Sequence, residues 1–433
     1  MNTSAVSPRR ILLVSVGSYG DVFPFLSMGK VLQGRGHDVT ILTSGYFTEL
    51  VEQNGLKIAP VGTREQYESY VNNPNLIYPI KGLKLTQQIL ETILQPIYEY
   101  IQAEWLTPNT IIAASPYCMA LRIAQEVHKI PLLTITLAPM TLGSICDPPA
   151  ITTLVSPERM PRIFRRMYGQ AVHWITDHFV GNSVNRMRAK LGLKPFHKLL
   201  QWWHSPAGTI SLFSEWFAAK SQDWPVNHQY AGFPTSEKPN LSRERHDGDL
   251  EKFISQSKPS VLFYPGSNAS QLKKYFEVCS QACAKLGCNG IFVAPVAKDL
   301  GSDFPEHMLV RSFVPMASTL LRVKVAVHHG GMGTIADCFQ AGVPQLIRPM
   351  FGDQPDNARR VAKLGVGDWI AGSKFRLNGV TSKLNELIRS PVVAAQCQEI
   401  QDRMRAENGL EIASNCIEQF ADKIFSAGRR VIE

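Results

Sequence analysis

Between Val327 and Val361 the chain reads VHHGGMGTIADCFQAGVPQLIRPMFGDQPDNARRV, and few folds can use such a string. An apolar strand end runs into closely spaced glycines, then a helix-prone stretch, a short apolar run and an Asp-Gln pair. That order belongs to a parallel α/β sheet, with the turn at the carboxyl end of a strand. Gly330, Gly331 and Gly333 let backbone N–H groups approach an anion without side-chain clash. The helix expected from near Ile335 adds unpaired N–H groups and the positive end of its dipole. Thr334 can contribute a hydroxyl, and His328 or His329 a further hydrogen bond. Asp353 and Gln354 carry the acceptors and donors that fix sugar hydroxyls. These parts suit a sugar diphosphate.

At 433 residues the chain exceeds one ordinary core and fits two domains. It opens as β-α-β: a strand from Arg10 to Val16, the turn GSYGDVFP, a helix from Phe25 to Gln33, and a strand from Asp38 to Thr43. Residues 85–105 look helical, with Leu90, Ile93, Leu94, Ile97 and Ile101 near a 3–4 residue period. Ile111–Ala114 and Leu132–Thr136 suit parallel strands buried on both faces. Residues 157–192 read as basic and helical, with Arg159, Arg162, Arg165, Arg166, Phe164, Trp174 and Phe179. They make either amphipathic helices with a solvated basic face or a wall for a greasy substrate or membrane. The polar stretch 233–258 reads as a linker between an N-terminal domain, 1–232, and a second domain, 259–410. A fresh β-α-β then begins, with a strand at Val261–Tyr264, the turn PGSNAS, a helix at Gln271–Leu286, and strands at Gly290–Ala294 and Val323–Val327. The last segment, 411–433, is expected to be a helix packing back on the first domain.

The composition narrows the classes. A hydrophobic fraction of 44% and a charged fraction of 19% describe a globular protein with no bilayer-spanning run. Behind Arg9 and Arg10 the apolar run stops at Val16, which suits a strand better than a signal peptide, so a cytoplasmic protein is expected. Eight scattered cysteines without a CxxC pair point to reduced thiols. The net charge of +9 suits a polyanionic substrate or an anionic membrane surface, the inner face of a membrane included. No nucleic-acid-binding signature accompanies it. Asp247-Gly248-Asp249 falls in the charged linker and reads as a solvated loop, so no metal site is assigned. The opening turn lacks GxGxxG, with Asp21 in the way, which argues against a dehydrogenase.

The spacing His-His-Gly-Gly-x-Gly-Thr, Ala-Gly-Val-Pro and Asp-Gln-x-x-Asn-Ala resembles the donor signature of family 1 glycosyltransferases. GSYGDVFPF is similar to the acceptor-side turn of bacterial members, and SLFSEWFAAKSQDWP followed by GFP looks like the branch of rhamnosyltransferases that make rhamnolipids. Sterol glucosyltransferases and glycopeptide-antibiotic transferases share the donor signature more distantly. The resemblance implies the GT-B fold, an α/β architecture of two Rossmann-like domains facing across a cleft. It also implies inverting transfer from a UDP- or dTDP-sugar co-substrate to a lipophilic hydroxyl acceptor, without another cofactor or an obligate metal. Oligomeric state is written in no motif.

Carried over residue by residue, the resemblance makes Asp21 the base, with helix capping as its alternative role. Phe313 falls where the nucleobase stacks, and Val314 offers backbone groups beside it. His328, Gly330, Gly331, Met332, Gly333 and Thr334 match phosphate-side positions, with Ser267 joining them, while Asp353 and Gln354 match the sugar-contacting pair. His329 reads as a turn-structuring residue, and Trp202 and Trp203 as packing. The ribose-binding glutamate of plant members falls at Ala336, and Met316 replaces a residue usually polar. Both departures open the door to dTDP-sugars. Two rivals stand beside this reading: a sugar-nucleotide epimerase on the same fold, and a silent partner of another transferase.

Overall fold

Apolar runs without polar alternation make strands buried on both faces, and here they build two parallel sheets. The computed structural model describes residues 8–234, 247–266, 272–294, 300–301 and 303–429. One unit comprises Met1–Pro149, Ser156–Leu241 and Asn408–Glu433, the other Ala150–Val155 and Ser242–Glu407.

In the first unit the strands are β1 (Arg10–Val14), β2 (Asp38–Ser44), β3 (Lys57–Val61), β4 (Thr110–Ala114), β5 (Leu132–Thr136), β6 (Thr209–Ser211) and β7 (His228–Tyr230). They lie in the order β3-β2-β1-β4-β5-β6-β7, all parallel, with Leu12 paired to Thr40 on one side and Ile112 on the other. The order reverses between β1 and β4, and the turn after β1 sits at that switch point, where ligands of such sheets bind. The helix Tyr19–Gly34 follows β1 directly. It starts six residues before the Phe25 expected from sequence, because Ser18 and Asp21 form a capping box ahead of Pro24. Pro24 removes one intrahelical N–H, but burial of Val22, Phe25, Leu26 and Met28 holds the helix through it.

The C-terminal helix Gly409–Arg429 belongs to this unit. Leu410, Ala413, Ile417 and Ala421 join the core that contains Phe25, Leu26 and Leu32. Arg35 pairs with Glu411 and Glu418, and Glu418 also meets His37 Nε2 at 2.9 Å.

The second unit holds β8 (Ser260–Tyr264), β9 (Asn289–Val293), β10 (Met308–Arg311), β11 (Val325–His328), β12 (Gln345–Ile347) and β13 (Gly367–Trp369). Their order is β10-β9-β8-β11-β12-β13, again parallel, which puts β11 beside β8 at its own switch point. The helices Leu272–Leu286 and Leu377–Arg389 bury Cys279, Cys283, Val380 and Leu384 against Phe263, Phe292 and Val327. The polar stretch expected to be linker up to residue 258 proves to be partly structural. A helix, Gly248–Ile254, buries Leu250, Phe253 and Ile254 with Leu262 and Ala326. Asp247 is not a solvated loop residue either: it caps that helix by accepting from the Leu250 N–H at 3.0 Å, and it pairs with Arg311 at 2.6 Å. The short segment Ala150–Val155 also belongs to this unit, held by the Ala150 N–H on Asp356 Oδ1 at 3.2 Å.

All eight cysteines are free, six of them buried. Among the described residues no helix is long and apolar enough to cross a membrane.

Candidate active site

In the first unit the site is built on the turn after β1. Asp21 stands in the first turn of its helix, and its Oδ2 accepts from the Ser18 backbone N–H at 2.7 Å and the Ser18 hydroxyl at 2.9 Å. Ser15 Oγ donates to the Asp21 backbone carbonyl at 2.8 Å, which pins the residue from the strand side. Gly17 has φ 139°, and a Cβ there would lie 2.4 Å from Asp21 Oδ2, so only glycine leaves room for the carboxylate. Burial pushes the Asp21 pKa above its ordinary value, more strongly than the two Ser18 hydrogen bonds pull it down. The cap fixes the carboxylate, and the burial raises its proton affinity.

An aromatic group surrounds this turn, and sequence reasoning missed it. Tyr19, Tyr46, Phe47 and Tyr67 follow β1, β2 and β3, all at strand carboxyl ends. The Tyr46 and Tyr67 rings stack at 4.3 Å, and the Tyr19 and Tyr46 hydroxyls meet at 3.1 Å. Burial raises the phenol pKa values of Tyr67 and Tyr70, and the Asp21 charge adds to both in the same direction. The recurrence of tyrosine just after each strand was the available signal. Trp202 and Trp203 pack instead: Trp202 stacks on Phe196 at 4.1 Å, and Trp203 Nε1 donates to the Thr141 carbonyl at 3.0 Å.

In the second unit β11 ends at His328, and the following helix, Met332–Ala341, starts three residues before the expected Ile335. The N–H groups of Met332, Gly333 and Thr334 are thus the open donors of its first turn. Gly330 has φ 95° and a Cβ there would press on Ile347 at 2.8 Å, so its glycine is demanded by the fold. Gly333 differs, since a Cβ there would meet nothing within 4 Å. Its backbone faces open space at the helix start, where an anion is best received.

The two adjacent histidines sit in different surroundings. His328 is buried, its Nδ1 accepts from the Gly330 N–H at 3.1 Å, and its Nε2 lies 3.0 Å from Gln345 Oε1. Both ring nitrogens are occupied, so His328 braces the turn. Burial holds its pKa down at about 3, a neutral imidazole. His329 is partly exposed, and a Cβ on Gly331 would lie 2.7 Å from its Nε2. Its ring borders the anion-facing turn, with a pKa pushed down to about 4 by burial. Ala336, where the ribose-binding glutamate of plant members falls, is buried in the helix, and the next residue, Asp337, is partly exposed.

Asp353 and Gln354 begin the helix Gln354–Lys363. Asn357 Nδ2 donates to Asp353 Oδ2 at 2.7 Å and to the Gly330 carbonyl at 3.0 Å, which joins the Asp-Gln segment to the glycine turn. Gln354 is buried, and its Oε1 accepts from the Met350 N–H at 2.9 Å. Its carbonyl end thus shapes the loop. Phe313 is 50% exposed after β10, available for stacking rather than buried as core, while Val314 is buried beside it. Ser267 lies outside the described residues. No group of three metal-ligating side chains occurs among the described residues.

Known proteins match this arrangement over most of its length. Residues 11–146 match the glycosyltransferase family 28 N-terminal domain, and residues 291–419 the erythromycin biosynthesis protein CIII-like C-terminal domain. The O-mycaminosyltylonolide 6-deoxyallosyltransferase of Streptomyces fradiae is 25% identical over 427 residues, 95% of this chain and 98% of that protein. A sterol 3-beta-glucosyltransferase of Komagataella phaffii is 25% identical over 96% of this chain, which spans 35% of that longer protein. Among solved structures the glycotransferase of kitacinnamycin superposes with a TM-score of 0.73 at 19% identity, covering 96% of this chain and 99% of its own. The glycosyltransferase VinC in complex with DTDP superposes at 0.66 with 18% identity, covering 96% of this chain and all of its own, 100%. Two parallel Rossmann-like units of this kind are the GT-B architecture. The chain belongs to the family 1 glycosyltransferases of that architecture.

Proposed function

We propose that this enzyme moves a hexose or deoxyhexose from a UDP- or dTDP-sugar to a hydroxyl of a lipophilic acceptor, with inversion at the anomeric carbon. The observation that carries the donor half is the open helix start at Gly333, bordered by His329 and tied through Asn357 to Asp353. The diphosphate lies against the N–H groups of Met332, Gly333 and Thr334, with His329 donating as a neutral imidazole. Asp353 and the Gln354 amide hold the sugar, Phe313 stacks on the base, and Asp337 takes the ribose hydroxyls. The dTDP bound to VinC and the deoxysugar transferred by the Streptomyces fradiae relative support a dTDP-deoxysugar.

Asp21 removes the acceptor proton as its oxygen attacks the anomeric carbon. The bond from that carbon to the diphosphate breaks in the same step, and the nucleoside diphosphate leaves with the electron pair. A raised pKa brings the carboxylate closer to an alcohol proton than an ordinary aspartate. The helix dipole and His329 meet the leaving charge, so no obligate metal is assigned. The tyrosine and phenylalanine group beside Asp21 gives the acceptor an apolar wall. Nucleotide-sugar supply puts the reaction in the cytoplasm.

The test offers UDP-glucose, dTDP-glucose and dTDP-rhamnose with pooled hydroxy fatty acids, sterols and polyketides, read by mass spectrometry with and without chelator. The proposal expects one sugar mass on an acceptor, unchanged by chelator, with the inverted anomer by NMR. Donor rearranged without adduct would establish the epimerase instead. Donor left intact with every acceptor, while a co-purifying transferase gains activity, would establish a silent partner.

A further inference from the structure

The helix Arg162–Thr176 in the first unit turns an apolar face outward. Gly169, Val172 and His173 face the core, with His173 Nε2 at 2.8 Å from the Gly143 carbonyl. At Gly169 a Cβ would lie 2.8 Å from the Ile145 carbonyl, so the helix is seated closely. Tyr168 Oη donates to the Pro149 carbonyl at 3.2 Å. The orientation is therefore fixed from within. At 100° per residue, Ile163, Phe164, Met167 and Trp174 project from the opposite side. Their exposures are 67%, 58%, 58% and 67%, far above what a solvated helix face usually carries.

The charge around this stripe points to what covers it. The helix sequence RIFRRMYGQAVHWIT holds three arginines and no acidic residue, and Arg159, next to Glu158, stands just before it. Arg159, Arg162 and Arg166 are exposed. An apolar face bearing Phe and Trp, edged on one side by Arg166 and Arg162, fits the boundary between headgroups and acyl chains of an anionic bilayer. The net charge of +9 acts in the same direction.

We propose that this helix docks the enzyme on anionic lipid surfaces, with Phe164, Met167 and Trp174 inserted and Arg159, Arg162 and Arg166 on the headgroups. This does not depend on which acceptor the enzyme uses, and it would stand if the acceptor were soluble.

The test is flotation of the full chain with vesicles of phosphatidylcholine alone or with one-third phosphatidylglycerol, at low and high salt. Wild type is expected to float with the anionic vesicles at least ten-fold more than with neutral ones, and to lose that in high salt. Each arginine near such a surface contributes roughly five-fold in binding. The triple variant R159E/R162E/R166E is therefore expected to lose binding almost completely. F164S/W174S is expected to lose binding while keeping its melting temperature, because both side chains already face solvent. Wild type that stays in solution with anionic vesicles would overturn the proposal, as would F164S/W174S that floats as wild type does. So would sedimentation showing a dimer that F164S/W174S dissociates, since the stripe would then be an interface between copies.

Discussion

The Asn357 amide donates to the Gly330 carbonyl at 3.0 Å, across 27 residues of chain, and the same nitrogen reaches Asp353 Oδ2 at 2.7 Å. One side chain thus sets the distance between the glycine turn and the Asp353 carboxylate. Asn357→Ala leaves a buried carbonyl unpaired and frees Asp353 to turn, which should cost about 1–3 kcal/mol of stability. The donor KM is expected to rise ten-fold or more, with Asn357→Asp no rescue, because a carboxylate cannot donate. Thermal melts and donor saturation curves check both halves.

The two adjacent histidines should separate cleanly. His328→Ala removes the partner of the Gly330 N–H and of Gln345, so it is expected to lower the melting temperature sharply. His329→Ala should leave the melt nearly unchanged and lower kcat/KM for donor by about ten- to a hundred-fold. Loss of stability in His329→Ala, with catalysis intact, would take the phosphate role away from His329.

Acid should destabilise the fold before it protonates surface carboxylates. His204, His228 and His329 have pKa values held down at about 4, and His328 at about 3, each by burial first. The unfolded chain binds protons at these groups from about pH 6.5 downward, where the native state does not. Stability contributed by keeping them neutral is therefore fully present above that range and falls as pH drops toward 4. A melting temperature that declines steadily from pH 7 to 5 is expected, and a flat profile would contradict it.

The sheets were legible because β4 and β5 are wholly buried runs of apolar and small residues, which leave little choice but burial on both faces. The donor turn was legible because glycine spacing and the Asp-Gln pair carry chemistry in their identities. What escaped was orientation. Neighbouring strand residues point to opposite faces and neighbouring helix residues differ by 100°, so the sequence did not show that His328 is buried and His329 partly exposed, or Ala336 buried and Asp337 partly exposed. Helix starts escaped for a related reason. Pro24 reads as a stop, yet the Ser18 and Asp21 capping box begins the helix ahead of it. The aromatic group near Asp21 is assembled from three separate strand ends, so the sequence shows a tyrosine after each strand but not that their rings meet.

Gly17 should be irreplaceable for catalysis. Its φ of 139° and the 2.4 Å approach to Asp21 mean that Gly17→Ala must displace the carboxylate. Turnover is expected to fall by at least a hundred-fold, with a stability loss of about 1–3 kcal/mol from backbone strain. Donor affinity should be retained, which isothermal titration with nucleoside diphosphate would show.

The central claim, that Asp21 is the base, is tested most directly by the kcat of Asp21→Asn measured beside its donor affinity and its melting temperature. Asparagine keeps the acceptor for Ser18 but cannot take a proton. A loss of about 10²–10⁴ in kcat is predicted, with nucleotide-sugar affinity unchanged. Because burial raises the Asp21 pKa, its stabilising contribution is present below the ordinary carboxylate value and lost as pH rises through the folded one. The variant should therefore melt no lower than wild type at pH 7. A variant that turns over within a few-fold of wild type would contradict the account, leaving Asp21 as a helix cap and the base elsewhere.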